Sequence, residues 1–534
     1  MVTVLTNREV KMSAKFTMLI NEADNVAVAV DPVSKGETVL IKDREVQALN
    51  DIPSGHKIAR RDIKCGEYII KYGRIIGKAA EDIKTGTWVH CHNVEDITEW
   101  LQAEAQAKKK EYFDAHPDLK VTPYRTAPKL SRDHIMAYPR PTGEIGVRNN
   151  VVIISIIQCA NLASQKISNA TGAACITQEG GCLEFPDRLN NLIKGLVGPG
   201  IHPNTFGALI VGIGCQQIDA EWVAEPIRKA GKEVHIVQMH DDGGFYGVVE
   251  KGIKLVKEMQ ERAAAEKRVP CPINKLVLSA HCGSSDWTSG LSGNRICGAM
   301  LDIHESIGGS IIYTGGRGNQ VELAGTKEVF ERMMEIGTRF REDNLIRTGK
   351  GLSEVNPTPG NKLGGLSTLE EKDLGTHQAN GHAKICGWLE VGEQAPHPGT
   401  WAIDQPHGNN DSFDCTGSAM AGVHFIGFPT GRGSMCGNAC APTIKITGNR
   451  ATQQKLPEFI DYCGDAVLNG KQSAEEAGLE LYELMLDFAE GRPTASEVLG
   501  EYSWTIPHGK SMNGDYDKDQ VKYILDDRGY PCLR

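Results

Sequence analysis

The rhythm of hydrophobic and polar positions changes twice along the chain. Between residues 16 and 95, short alternating runs (NVAVAV, TVLI, EYIIKYG, RIIGKAA, WVHCHN) are separated by the turn sequences PSGHK, KCGE and KTGT. A period of two in short runs with Gly-bearing turns predicts a small β-rich domain. EWLQAEAQAKKKEYFDAHPDLK is then charged and helix-favouring, and TPYRTAPKL is extended, so residues 96–137 read as a linker. From about Tyr138, strands alternate with amphipathic helices. Strand-like runs at Gly207–Gly214, Glu233–Met239, Lys275–Ala280 and Ser310–Tyr313 bracket segments such as Tyr246–Arg268. In that segment Val248, Val249, Ile253, Val256 and Met259 recur near helical spacing. The expected architecture is α/β: a small β domain followed by two α/β lobes with mostly parallel sheets, over 138–343 and 344–534. HAKICGWLEV, VHFIGFP and TIKIT are candidate strands of the second lobe, and the polar closing segment DYDKDQVKYILDDRGYPCLR fits a docked helix or a loose tail.

Three of these strands end on a cysteine. VVIISIIQC closes on Cys159, GALIVGIGC on Cys215 and KLVLSAHC on Cys282. Free cysteine usually just packs. In open α/β sheets, however, ligands gather beyond the carboxyl ends of strands, so three thiols placed there point to a site.

Composition narrows the function classes. The 534 residues are enough for several domains, and 40% hydrophobic with 24% charged is ordinary for a globular protein. A net charge of −10, without a basic stripe, argues against a nucleic-acid partner. The N-terminal MVTVLTNREVKMSAKF lacks the apolar core of a signal peptide, and no run reaches membrane-spanning length. With 15 scattered cysteines, the expectation is a reducing cytoplasm, no membrane, and a homodimer by default.

Candidate chemistry sits mainly in loops. SGHKIARRDI carries His56 and Lys57, and WVHCHN spaces His90 and His92 two apart, which on one strand would put both imidazoles on one face. TQEGGC (Cys182), HPN, GIGCQQ, HDDGG and AHCGSSDWTSG (Cys282, Ser285, Asp286) cluster Cys, His, Asp and Gly. Such loops can bring backbone N–H groups close to a small anion. NPTPGNKLGGLSTLEEKDLG converges Asn361, Lys362, Glu370, Glu371 and Lys372, and FPTGRGSMCGNACAP offers Thr430, Arg432 and Ser434 to an anion. No Walker loop, GxSxG elbow or HExxH occurs. No nucleophile–base–orienter set of a hydrolase is visible.

Taken in order, these stretches resemble the altronate/galactarate dehydratase family over nearly the whole chain. SGHKIARRDI…GEYIIKYGRIIGKA…WVHCHN is similar to that family's N-terminal SAF (β-clip) domain, YPRPTGEIGVRNNVV, HPN…GIGC and CGSSDWTSG to its first catalytic lobe, and NPTPGNKLGGLSTLEEKDLG with FPTGRGS to its second. The resemblance implies removal of water from a 2,3-dihydroxy sugar acid to give a 2-keto-3-deoxy acid, with iron(II) or manganese(II). A sulfolactate sulfo-lyase of the same architecture eliminates sulfite instead. The chain departs from the pattern at GGRGNQ, where relatives carry an acidic pair, at Gln216, and in TQEGGC, which lacks a histidine. A sugar-acid-binding protein without catalysis is therefore a further reading.

On this resemblance, an elimination beside a carboxylate needs stabilisation of an enediolate, a base and an acid. His56, His90 and His92 are the expected metal or acid/base groups, and Lys57, Lys362 or Lys372 the expected base. Asn361, Thr430, Arg432 and Ser434, with Ser285 and Asp286, are expected to hold substrate. An iron–sulfur cluster on Cys182, Cys215 and Cys282, with one iron left open, is the alternative cofactor.

Overall fold

The computed structural model describes residues 17–116, 124, 126–184, 186–314, 320–405, 411–506, 523–525 and 531–533. Residues 17–95 build three small antiparallel sheets, of four, two and three strands. The alternating runs supply their inward faces: Val26, Ile41, Ile58, Ile69 and Ile76 are buried. The charged stretch after them forms a helix, Thr98–Ala115, anchored by its buried Phe113.

The rest is dominated by two all-parallel sheets. The first contains β1 (Asn150–Ser155), β2 (Ala174–Ile176), β3 (Thr205–Gly212) and β4 (Glu233–Gln238) in the order β2-β1-β3-β4. The second contains β5 (Val277–Ala280), β6 (Ser310–Thr314), β7 (Gly387–Glu390), β8 (Thr400–Asp404), β9 (Phe425–Pro429), β10 (Thr443–Thr447) and β11 (Tyr462–Cys463), in the order β7-β8-β6-β5-β9-β10-β11. Strands β8, β9 and β10 are buried along their whole length, as expected of parallel strands covered on both faces. The helix Gly293–Ser306 after β5 is buried along most of its length, packing on Ala474–Ala489.

The expected architecture is present, but the division between lobes is not at residue 344. β5 and β6 pair within the seven-stranded sheet, so the sheets change between Gln238 and Val277. Both halves are α/β in pattern, and only hydrogen-bonded pairing reveals which strands share a sheet. Where it is described, the closing segment is a strand pair and not a helix: Tyr523–Leu525 pairs antiparallel with Pro531–Leu533. No helix among the described residues is long and apolar enough to cross a membrane.

The small β domain is clamped to the α/β body by buried charge. Glu371 Oε1 accepts from Lys71 Nζ at 2.7 Å and Lys57 Nζ at 3.1 Å. Its Oε2 accepts from Lys57 Nζ at 2.8 Å and from Ser367 N and Oγ at 2.9 and 2.8 Å. All three ionised side chains are fully buried. Around them, Thr368 Oγ1 donates to Ile76 O, Leu369 N to Asp96 and Cys91 Sγ to Ser367 O. Gly55 allows the closest approach. It has φ +79°, and a Cβ there would lie 2.1 Å from Trp287 Cδ1.

Although burial opposes its charge, the two ammonium groups hold the Glu371 carboxyl far below the ordinary carboxylate range. Its stabilising contribution is therefore complete above the unfolded value of about 4.3 and drains away as pH falls below it. Glu371→Ala leaves two uncompensated buried cations and should cost about 3–5 kcal/mol, measured by urea unfolding. That deficit should shrink as both proteins are acidified from about pH 6 towards about pH 3; a deficit that is independent of pH would show that packing, not the ion pairs, is responsible.

Candidate active site

A cavity of about 350 Å³ opens at the carboxyl edge of the seven-stranded sheet. It lies over β5 and β6, flanking the point where successive strands are laid down on opposite sides of β5, the position where open α/β sheets bind ligands. His281 and Cys282 come from the end of β5, Thr314 from the end of β6, and Asp411 and Asp414 from the helix Asp411–Met420. Lys372, Asp373 and His377 come from the helix Leu369–His377, whose N-cap Thr368 accepts from Glu371 N. Asn356 and Thr358 complete the mouth.

His281 lies between two carboxylates. Its Nε2 is 3.0 Å from Asp411 Oδ1 and its Nδ1 is 3.3 Å from Asp414 Oδ2. Burial disfavours imidazolium, but the hydrogen bond and charge of Asp411 with the charge of Asp414 outweigh it, and the His281 pKa is raised. Reciprocally, His281 overcomes the burial of Asp411 and keeps its carboxyl low. His377 behaves alike. Burial is outweighed by Glu322, whose Oε1 lies 3.6 Å from Nδ1, so His377 is also raised. Its Nε2 is buried and, among the described residues, has no hydrogen-bond partner, as is true of Thr314 Oγ1. Buried polar atoms are ordinarily satisfied, so two on one cavity wall mark where a polar ligand would bond. Lys372 Nζ donates to Asn356 Oδ1 at 2.7 Å and Asn361 Oδ1 at 3.2 Å. Cys282 is kept a neutral thiol by burial, with Ser285 Oγ 3.0 Å away.

Of the residues expected from sequence, Lys372 and Cys282 line this cavity. Asn361 borders it and ties two loops, donating from Nδ2 to Ser285 O at 2.8 Å. Ser434 Oγ donates to Asp411 Oδ2 at 3.2 Å. Thr430 Oγ1 accepts from Gly433 N, and the exposed Arg432 donates from Nη1 to Gly360 O; neither lines the cavity. Asp286 is buried and spent on Thr288 and on Asn449, whose Nδ2 donates at 2.7 Å. Lys57 is not a free base, since the Glu371 clamp uses its ammonium. Lys362 lies outside the cavity lining, and its charge acts on the Cys91 thiol. GGRGNQ, apart from Gln320, lies outside the described residues.

His56 and His90 come together, with ring centroids 4.7 Å apart, and His92 packs against Trp88 at 5.0 Å. They do not share a strand, because the strand ends at Val89 and residues 91–93 form a turn. As a cation site the set does not fit. His56 Nδ1 accepts from Trp88 Nε1 at 3.2 Å and its Nε2 faces Leu363 O at 3.3 Å, which leaves no free ring nitrogen. His90 Nδ1 is buried without a partner among the described residues, and burial with the nearby Lys57 charge pushes that ring down to about 3. Among the described residues no three His, Cys, Asp or Glu side chains are grouped to hold one metal ion. The cysteine set is also redistributed: Cys282 lies on the seven-stranded sheet, whereas Cys182 and Cys215 lie with Cys159 at the edge of the other.

Sequence reasoning missed His281, His377, Thr314, Asp411 and Asp414. His281 adjoins the singled-out Cys282, and Asp411 and Asp414 are three apart on a helix, so a strand-end histidine was the available signal.

Comparisons with known proteins agree with this layout. Residues 15–97 match the altronate/galactarate dehydratase SAF domain, 137–264 the second domain of D-galactarate dehydratase/altronate hydrolase, and 273–511 the D-galactarate/altronate dehydratase C-terminal domain. Altronate dehydratase of Bacillus subtilis is 28% identical over 89% of this chain and 95% of its own. Altronate dehydratase of Escherichia coli is 29% identical over 90% and 96%. The (2R)-sulfolactate sulfo-lyase subunit beta of Chromohalobacter salexigens is 29% identical over 70% of this chain and 96% of its own.

If Asp411 holds the His281 proton, Asp411→Asn should move the His281 titration to lower pH, followed by NMR of selectively labelled histidine. An unmoved titration would assign the raised value to Asp414 alone.

Proposed function

Because the chain belongs to the altronate/galactarate dehydratase family, we propose that it is a hydro-lyase acting on a 2,3-dihydroxy sugar acid and releasing a 2-keto-3-deoxy acid. The observation that supports the cavity as its centre is that an amine, Lys372, and an imidazole flanked by two carboxylates, His281, both line it. In this reading Lys372, in its neutral form, takes the proton from C2. The electron pair passes into an enediolate, whose charge the His377 imidazolium helps to balance. His281 gives its proton to the C3 hydroxyl, which departs as water. The enol then takes a proton at C3 and gives its hydroxyl proton to solvent, becoming the keto acid. Lys372 has gained one proton and His281 has lost one, and exchange with solvent resets both.

A second leaving group is kept in view by the likeness to the sulfo-lyase subunit, which matches at the same 29% identity as the Escherichia coli altronate dehydratase, over 70% of this chain against 90%. Chemically, sulfite at C3 would leave by the same electron flow without needing the His281 proton. Aldonic, aldaric and sulfonated hydroxy acids should therefore be assayed together, scored for 2-keto acid and for sulfite. Keto product without sulfite is expected, and neither product from any of them would sink the reading.

Lys372→Met should lower kcat by about 10²–10⁴-fold. Lys372→Arg should not rescue it, because a guanidinium does not give up its proton. With His281 acting as acid, kcat/KM should fall on an alkaline limb above the ordinary histidine value of about 6.5, and Asp411→Asn should shift that limb down. A limb left in place by that substitution would remove His281 from the acid role.

A further inference from the structure

The carboxyl edge of the four-stranded sheet gathers a second set of reactive side chains, unconnected with the cavity. Cys159 follows β1, Cys182 follows β2 and Cys215 follows β3. Since β2, β1 and β3 are neighbours running parallel, their following loops emerge side by side. The loops are also bonded to one another. Gln158 N, next to Cys159, donates to Gly180 O at 3.0 Å, and Gln217 N, two residues beyond Cys215, donates to Gly181 O at 3.0 Å. The Cys182 loop is thus held on one side by the Cys159 turn and on the other by the Cys215 loop. Gln158 Nε2 adds a bond to Glu179 Oε2 at 3.0 Å, and Glu184 N one to Gln217 Oε1 at 2.7 Å. Gly181 permits the close approach: it has φ +104°, and a Cβ there would lie 2.8 Å from Ile156 O.

All three cysteines are exposed, and none of their thiols has a hydrogen-bond partner among the described residues. Free cysteine is among the most buried residue types, so three bare thiols on adjoining loops are not explained by packing. They are not grouped tightly enough to share a single ion. A four-iron cube presents its irons at separate corners, so its thiolates stand farther apart than ligands of one ion.

We propose that Cys159, Cys182 and Cys215 bind a [4Fe–4S] cluster. Each thiol gives its proton to solvent and, as thiolate, displaces the terminal ligand of one iron of a preformed cluster, with no electron transferred. The fourth iron, lacking a protein thiolate, keeps an exchangeable oxygen ligand at the exposed face: solvent, hydroxyl or carboxylate. Cys282 has no part in it, being on the other sheet and bonded to Ser285. The inference does not depend on the hydro-lyase reading, since it is tested by composition rather than by turnover.

The test is the full chain purified anaerobically and reconstituted with equal amounts of ferric and ferrous iron and with sulfide, which together supply the [4Fe–4S] core at its own oxidation level. About four irons and about four acid-labile sulfides per chain, with visible charge-transfer absorption, are expected. Cys159→Ser, Cys182→Ser and Cys215→Ser should each lose iron, sulfide and colour together, whereas the exposed Cys65→Ser should keep them. Should a variant misfold, alkylation of the wild-type chain read by mass spectrometry gives an independent result: these three thiols are protected in the reconstituted protein and labelled after chelation. Iron without matching sulfide, no iron at all, or a cluster that survives the three substitutions overturns the proposal.

Discussion

One carboxylate shared by two lysines governs how the molecule is put together. Lys57 and Lys71 come from the small β domain and Glu371 from the α/β body, and none of them reaches solvent. Charges removed from water are tolerated only when paired with good geometry, so a shifted docking would strand ammonium groups in an apolar interface. That makes the arrangement selective even where it adds little net stability. The clamp also has a direction: Glu371 lies one residue before Lys372, so the side chain that ties the two parts together fixes the helix whose next residue faces the cavity. The β domain supplies no cavity side chain, and instead holds the segment that does.

The two parallel sheets obey the same geometric rule and use it for different chemistry. In each, side chains beyond the carboxyl ends of neighbouring strands are brought together from distant parts of the sequence. At the seven-stranded sheet these are imidazoles flanked by carboxylates, which suits proton transfer, with the pKa of His281 and His377 raised by acidic partners despite burial. At the four-stranded sheet they are bare thiols on loops with few charged side chains, which suits a soft metal cluster. The Lys372 amine, which lines the same cavity, is held by two amide oxygens.

How much of this was legible in the sequence depends on the range of the interaction. The alternation of NVAVAV and EYIIKYG, the spacing along Tyr246–Arg268 and the Gly-bearing turns act over a few residues, and the corresponding strands and helix are present. Lys372 and Cys282 could be singled out because each lies in a polar stretch of the sequence. Lys57, in an equally polar stretch, could not be distinguished from them, because its partner is 314 positions away. Asp286 was hard to place for a similar reason: beyond its neighbour Thr288, the group that binds its second oxygen, Asn449, is remote in the chain.

The amino-acid sequence by itself determined the local elements, the succession of a β domain and α/β segments, and the family resemblance, since these follow from periodicity, turn chemistry and the order of long motifs. Only the tertiary structure decided that β5 and β6 join the later strands, that His281 sits between Asp411 and Asp414, and that Cys159 rather than Cys282 stands with Cys182 and Cys215. Those outcomes depend on which parallel strands become neighbours. Parallel pairing joins segments far apart in the chain, and residues at a strand's end carry no local mark of the strand that will lie beside them.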